Sequence, residues 1–566
     1  MEANPITFLR TIEHVKYAEP SCCLPRAPQS SQWATEHMFR HALICLIVPL
    51  KDGMDRHKMV VMALVHDITD FRPWGDDQER KLLNMDYLAC NLPLETANYL
   101  KAYWKEYWEG QTPEAQLAQE ICAFEHMVAL EEEGIPCEDS IQRILSSSHL
   151  QTWMALMDTS KDEMVALRNG ASLGPSYWDD PEKNKLLLAD VINTKKTASS
   201  PLPFIRMLRD MSTMKRKGWI ERNMKEANVE SIASHSWGVA LICLLFSPKD
   251  KAVICAILGL VHDLGEIVVG DVTPADCIAP KDKQLHERFG QKFLAHLSLT
   301  DAVESYFKEF EDCRSIAAQI THEADSLECR IQAVIYILRY PQLKGLLEFL
   351  NPQLLPVYFK GLTSLLSHEE SSLKDTRPDL TIIFVIGGPG VGKDTQCNRL
   401  ADKFGFCHIP TGGLLREEIK QRPDSRHTKF LEASIALGFN VPAELMISLI
   451  TAAAKGRELI LNGFPRNFDQ LLTFEQLVSP CYSTLLLDCP DEILRARHRK
   501  RAASSSRSDD SIIEKRLKDY HGEQHLRDYL QGRGPFETVD STGSEEEVYI
   551  LAKEGIELLI KPREPV

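Results

Sequence analysis

The 566-residue chain shows no paired cysteine framework and no excess of basic charge, and no secretory leader is expected; each of these excludes something. Its 15 cysteines include no C-x-x-C pair. Several lie in apolar runs such as HALICLIV (41–48) and VALICLLF (239–246), where cysteine acts as a small buried hydrophobe. That usage predicts a reducing, cytoplasmic compartment rather than a disulfide scaffold. The opening MEANPITFLR lacks a basic segment followed by an apolar core, so no signal peptide is expected. No apolar run is read as reaching the ~20 residues that span a bilayer, so no membrane partner is expected. The formal net charge is -16, which disfavours a nucleic-acid backbone as partner.

What is present is an ordinary globular composition, 44% hydrophobic and 26% charged. At roughly 100–200 residues per domain, the length suggests about three domains. An internal repeat organises the first two. PITFLR (5–10) matches PLPFIR (201–206), and EHMFRHALICLIV (36–48) matches SHSWGVALICLLF (234–246). VVMALVHDITD (60–70) matches AILGLVHDLGE (256–266), and FEHMVALE (124–131) is set against HEADSLE (322–328). An offset near 196 to 198 residues is too long for a solenoid and reads as a duplicated domain. Apolar residues at helical spacing predict that both copies are mainly helical, interrupted at PWGDD (73–77) and LGPSYWDDP (173–181). The predicted domains are 1–195, 196–366 and 380–566, with the polar stretch 367–379 as a linker.

In the second copy, His235, adjacent His262 and Asp263, and Asp325 form a candidate metal set. An ionisable pair inside an apolar run is costly unless a cation compensates it. Imidazole nitrogen with carboxylate oxygen suits Mn, Co, Fe or Zn. Glu266, four residues after His262, shares its helix face and can reach a water there; Asp271 follows. The ordered segments ESIASHS, VHDLGEIVVGDVTPAD and EADSLE resemble the HD-domain superfamily, and with KGWIERN (217–223) its 5′-deoxynucleotidase branch. The resemblance covers about residues 200–360. It implies His235, His262, Asp263 and Asp325 as metal ligands, Glu266 acting on the attacking water, and Asp271 as its polar partner. It also implies that Trp219 packs on a deoxyribose. Where some relatives place Arg before this Trp, Gly218 stands here, and Arg222 is the phosphate contact expected instead.

The first copy aligns His37, His66, Asp67 and Asp70. At a constant offset Met127 faces Asp325 and Gly75 replaces Asp271. Glu125 or His126 substitutes only if the helix shifts register. The first copy is therefore read as a retained scaffold, an internal pseudo-partner in a pseudo-dimer between the repeats.

The third domain opens on TIIFVIG (381–387), a β-branched run, then GGPGVGKDT (387–395). Gly387, Gly390 and Gly392 let backbone N–H groups wrap phosphates, Lys393 adds charge, and Thr395 completes the loop. Alternating strand-like and helix-like segments predict an α/β fold with a parallel sheet. HIPTGGLLREEI (408–419), LILNGFPRNFDQ (459–470) and residues 485–517 resemble adenylate and UMP-CMP kinases. The resemblance implies Thr411, Arg416 and Arg466 on a nucleoside monophosphate. It implies Arg497, Arg501, Arg507 and Arg516 around the transferring phosphoryl, and ATP with Mg as cofactor. Gln470, four residues after Arg466, tilts the acceptor towards AMP or dAMP. Departures from the pattern are Asp394 for Gly, Asn462 for Asp, Gly413 for Asp and Pro410 for Ser; Asp394 is a candidate stand-in for the carboxylate missing at 462.

The expected architecture is thus two all-α HD domains followed by an α/β P-loop domain. The expected function is a metal-dependent 5′-deoxynucleotidase fused to a kinase-like domain that binds ATP and nucleoside monophosphates. The competing expectations are a kinase regulated by its HD domains and a non-catalytic nucleotide-sensing scaffold.

Overall fold

The computed structural model describes residues 4–17, 33–70, 78–134, 148–155, 200–273, 276, 278–340, 343–350, 357–372, 381–436, 441–479, 482–502, 510–522 and 524–560. Two compact units divide the chain at Glu370 and Ser371.

The first unit is helical, and its two repeats use one device of three helices. These are Ala34–Ile47, Arg56–Val65 and Pro113–Glu132 in the first copy, and Ile232–Phe246, Lys249–Val261 and Ile316–Arg339 in the second. Polar side chains start most of them. Asp55 accepts from the N–H of His57 and Lys58, Thr112 from Ala115, Ser231 from Ser234 and Ser315 from Ala318. Each such cap satisfies an orphan donor and contributes about 1 kcal/mol. In both copies the middle helix stops at a C-cap histidine, His66 or His262, still in the right-handed region and followed directly by Asp.

Helix Ala34–Ile47 is buried along its whole length, and Ile232–Phe246 along nearly all of it. Helices buried all round form the centre of a unit rather than its surface. The two lie against each other across the repeat boundary. The Thr35 and Ser234 hydroxyls are 2.8 Å apart, and the Trp237 indole N–H donates to the Leu64 carbonyl at 3.0 Å. Within the second copy, a Cβ on Gly259 would lie 3.0 Å from the Ala240 nitrogen, so glycine permits the close helix approach there.

Two expectations need correction. Lys249–Val269 is by length and composition apolar enough to cross a membrane, which the reading of short apolar runs overlooked; 67% of that window is buried inside the unit. Its helix ends at Val261 and a turn carrying His262 and Asp263 follows. Helix Lys360–Ser372 also runs into the stretch read as a linker, and residues 373–379 lie outside the described structure, as do 73–77 and 173–181.

The second unit contains a five-stranded parallel sheet, in the order β2-β3-β1-β4-β5. The strands are β1 Ile382–Gly387, β2 Cys407–Pro410, β3 Leu459–Asn462, β4 Ser483–Asp488 and β5 Phe536–Asp540. β1 is central, and its first five residues are buried, as a strand covered on both faces must be. β3 and β4 flank it on opposite sides. The carboxyl end of β1 is therefore the point where the strand order reverses, the place where open parallel sheets bind ligands. The α/β parallel fold and the preceding helical region are as the sequence predicts.

Candidate functional site

The second repeat gathers its predicted ligands from three helices. His235 lies in the first turn of Ile232–Phe246, His262 and Asp263 end Lys249–Val261, and Asp325 lies on Ile316–Arg339. His235 Nε2 is 3.1 Å from Asp325 Oδ1 and 3.8 Å from Asp263 Oδ2; His262 Nε2 is 3.2 Å from Asp263 Oδ2. The far ring nitrogens are committed elsewhere. His262 Nδ1–H donates to the Gly259 carbonyl at 2.8 Å, and His235 Nδ1–H to Glu328 Oε2 at 2.6 Å. This leaves both Nε2 atoms buried with no hydrogen-bond partner, and Glu266 Oε2 likewise. Imidazoles oriented from behind, with lone pairs converging beside carboxylates, are the donor set a divalent cation requires. The residues present therefore fit the metal that the sequence implies.

Protons partly hold this cluster together. Burial and Arg216 oppose charge on His235, but Glu328 and Asp325 outweigh them and lift the imidazole to about 10. Burial, then Asp263 and Asp271, push the Glu266 carboxyl well above its usual range. A bound cation would displace such protons, so loading and pH are linked. The Asp263 and Asp325 side chains remain 19% and 33% accessible, enough to admit a ligand to this face.

Three predicted contacts fall differently. Arg222 is bonded to Glu221 and Glu348 and stacked over Phe349. Arg216 is the guanidinium that reaches the cluster, donating to Asp263 Oδ2 at 3.2 Å. Trp219 is buried in a core cluster, its ring centroid 4.1 Å from that of Phe349, which covers the face a sugar would need. Asp271 accepts the Lys217 N–H at 2.7 Å and bears on Glu266 only through its charge.

Sequence reasoning missed Lys16. From the first repeat it donates to Glu230 at 2.5 Å, Glu328 at 2.9 Å and Gln332 at 2.7 Å, all in the second. Glu328 is the carboxylate behind His235, so Lys16 positions an imidazole it does not touch. Removing outer partners of metal ligands typically costs about 10–100-fold in affinity or activity. Lys16→Met should weaken Mn²⁺ binding by about that factor, measured by titration of metal-free protein. It should also cost about 3–5 kcal/mol of stability, because buried carboxylates lose their cation. Unchanged Mn²⁺ affinity would remove Lys16 from the site.

The first repeat overturns the constant offset. His37 Nδ1 bonds Glu125, as His235 bonds Glu328. Cys122 Sγ is 3.4 Å from His37 Nε2 and 3.9 Å from His66 Nε2. The true correspondence is thus C-A-F-E (122–125) with D-S-L-E (325–328), an offset of 203 rather than 198. Cys122, not Met127, stands where Asp325 does. Met127 is a buried core residue, and Arg40 Nε pairs with Glu125 Oε1 at 2.7 Å. His126 is also buried, Asp70 lies 3.8 Å from Lys81, and Gly75 is outside the described residues.

In the second unit, β1 leads into the phosphate loop. Gly387, Gly390 and Gly392 have φ of 151°, 83° and 104°, values that side chains resist. A Cβ on Gly387 would also strike the Leu487 carbonyl at 2.5 Å. Lys393 opens the next helix, and its ammonium donates to the Gly387 and Gly388 carbonyls at 2.7 and 2.8 Å. Thr395 is exposed in that helix's first turn. Thr411 donates to the Asn462 carbonyl at 3.0 Å, and Gly412 places Arg416 and Arg466 together, each with a guanidinium nitrogen 3.9 Å or less from a Cβ built there.

Desolvation, then the Arg516 and Arg416 charges, depress Arg466, whose side chain still keeps an exposed surface beside these cations. Arg497 instead braces backbone, donating to the Val391, Thr542 and Gly543 carbonyls. Arg507 and the Arg501 side chain lie outside the described residues. Gln470 is buried; its Oε1 accepts from the Arg466 N–H and its amide faces the Val441 carbonyl.

The departures from the kinase pattern pair up. Asn462 Nδ2 donates to Asp394 Oδ1 at 2.6 Å, so the carboxylate absent at 462 returns from the adjacent position. A Cβ on Gly413 would meet the Pro410 ring at 3.1 Å, so those two replacements also answer each other.

Burial and Arg466 lower Lys393 to about 8. Incoming phosphates favour the ammonium, so binding takes up a proton wherever free Lys393 is neutral. ATP affinity should therefore be level below about pH 8 and fall by up to about tenfold per unit above it. Calorimetry at pH 7 and pH 9 reads this directly; equal affinities at both would contradict it.

Comparison with known proteins divides the chain in the same way. An adenylate kinase family model matches residues 385–533. An HD domain model matches residues 25–143 and again 208–344. UMP-CMP kinase of Xenopus laevis is 36% identical over 182 residues, 30% of this chain and 94% of its own length. UMP-CMP kinase of Homo sapiens is 35% identical over 193 residues, 31% of this chain and 98% of its own, and that of Gallus gallus is 36% identical over the same length and shares.

Proposed function

We propose a two-activity nucleotide enzyme: the chain belongs to the adenylate kinase family through its C-terminal unit, carries duplicated HD domains before it, and hydrolyses deoxynucleoside monophosphates at the second HD repeat. The observation that carries the hydrolase reading is the convergence of two orphaned, buried Nε2 atoms beside Asp263 and Asp325 at an accessible face. A bound divalent transition metal supplies Lewis acidity and acidifies water at neutral pH. The chain's own residues do the rest. Arg216 offers a fixed cation to the phosphate from beside Asp263. Glu266 takes and returns the proton of the attacking water. Glu328 and Lys16 keep His235 aimed.

The C-terminal unit binds ATP with Mg at the loop 387–393 and a nucleoside monophosphate at Arg416 and Arg466, and transfers a phosphoryl group between them. Phosphoryl transfer needs positioning and electrostatic support more than covalent chemistry, and the Asp394–Asn462 pair keeps one carboxylate beside the phosphate loop. The names of the relatives shift the preferred acceptor from AMP to UMP or CMP, which agrees with Gln470 being engaged internally. The compartment we propose is the cytosol.

The test is phosphate release from a panel of ribo- and deoxyribonucleoside monophosphates with Mn²⁺, Co²⁺ and Mg²⁺ compared. Release from the deoxy forms, lost in His262→Ala, is the expected result. No release from any monophosphate with any of the metals would end the hydrolase reading.

A further inference from the structure

We propose that the first HD repeat holds its own metal ion, a zinc-class cation in a closed site made by His37, His41, His66 and Cys122. One ligand atom from each of these four side chains lies within 4.8 Å of all the others, and all four residues are buried. Tetrahedral Zn–N and Zn–S bond lengths require ligand atoms about 3.3 Å apart for two nitrogens and about 3.6 Å for nitrogen and sulfur. The observed separations are 3.3 Å between His37 and His66 Nε2, and 3.4 and 3.9 Å from these to Cys122 Sγ.

Each imidazole is oriented by its other nitrogen. His37 Nδ1 faces Glu125, His66 Nδ1–H donates to the Ala63 carbonyl at 2.9 Å, and His41 Nε2–H donates to the Ala118 carbonyl at 2.8 Å. Held this way, His41 Nδ1 is buried with no hydrogen-bond partner. Both oxygens of Asp67, which is fully buried, also lack one. Asp67 Oδ2 lies 3.6 Å from His66 Nε2, and a carboxylate at that depth is expensive unless a cation compensates it. A divalent cation with the Cys122 thiolate and the Asp67 carboxylate sums to zero charge.

Among the described residues, the second repeat has no such four-ligand arrangement. Val239 stands where His41 does, and Asp325 where Cys122 does. The two differences act together. They replace a carboxylate that solvent reaches with a thiolate and a third imidazole in a sealed pocket. Four protein ligands leave no open position, so this centre is structural, whereas the second repeat keeps its access. It would tie three helices of the first copy together, two of them packed against the second copy through Thr35 and Leu64.

Cobalt substitution in the full chain tests this. Metal-stripped, reduced protein titrated with Co²⁺ should show a near-ultraviolet thiolate-to-cobalt band and intense tetrahedral visible bands. The thiolate band should persist in His262→Ala and in Cys329→Ala and vanish in Cys122→Ala; His41→Ala should weaken the visible bands. Zinc analysis should find one ion per chain retained by His262→Ala. A wild-type protein without a thiolate band overturns the proposal. So does a band lost in Cys329→Ala, since Cys329 adjoins His235 and Asp325 in the other site. Those two readings do not depend on Cys122→Ala folding.

Discussion

Asp263→Ala should lower metal-dependent phosphate release by about 10³-fold or more, with ATP-dependent phosphoryl transfer unchanged. Asp263 lies within 3.8 Å of His235 and 3.2 Å of His262, and it holds Arg216. On the proposed reading, its loss removes a metal ligand and frees the Arg216 phosphate contact together. Metal assistance is worth several kcal/mol in the transition state, and each 1.36 kcal/mol is about tenfold in rate. Steady-state phosphate release at saturating Mn²⁺ measures the effect. A companion pair separates the two candidate cations. Arg216→Ala should cost most of kcat/KM, while Arg222→Ala should leave it within about threefold, because Arg222 is occupied by Glu221 and Glu348. The reverse order would return the phosphate contact to Arg222.

Arg466→Ala should reduce ADP formation from ATP and a nucleoside monophosphate by about 10²-fold or more, the scale at which a misplaced acceptor phosphate slows the transfer. Arg466 shares its cleft with Arg416 and Arg516. Like charges held together in that way are unfavourable until an anion joins them, which preorganises the cleft for phosphate. Arg466→Lys should fail to restore the rate, because a point charge cannot make the forked contact. A coupled assay with UMP, CMP, AMP and dAMP in turn would show both the loss and the acceptor preference. Wild-type turnover in Arg466→Ala would place the transfer step elsewhere.

Much of the site was legible as residue order. The strand-loop-helix spacing of Gly387 to Lys393 places backbone donors at a strand end in any parallel sheet. The paired departures at 394 and 462 were visible too, since a carboxylate lost at one position and gained at another near the same loop invites a pairing. What misled was the assumption of one offset. C-A-F-E and D-S-L-E both stand in the sequence, but a five-residue difference in offset hides their correspondence from a fixed-register alignment. Arg222 is the phosphate contact expected from the sequence, yet its guanidinium is engaged by Glu221 and Glu348, and that of Arg216, at the start of the short helix Lys217–Ile220, reaches Asp263.

Local patterns therefore established the helical duplication, the parallel α/β unit and the phosphate loop, and picked out the candidate ligands of the second repeat, because each depends on spacing along one or two elements. The packing of the helices decided the remainder. It brings Lys16 beneath His235 across more than 200 residues of chain, turns Trp219 into core, and gathers His41 and Cys122 around His37 and His66. Those outcomes depend on which faces of distant helices meet, and no local spacing carries that information.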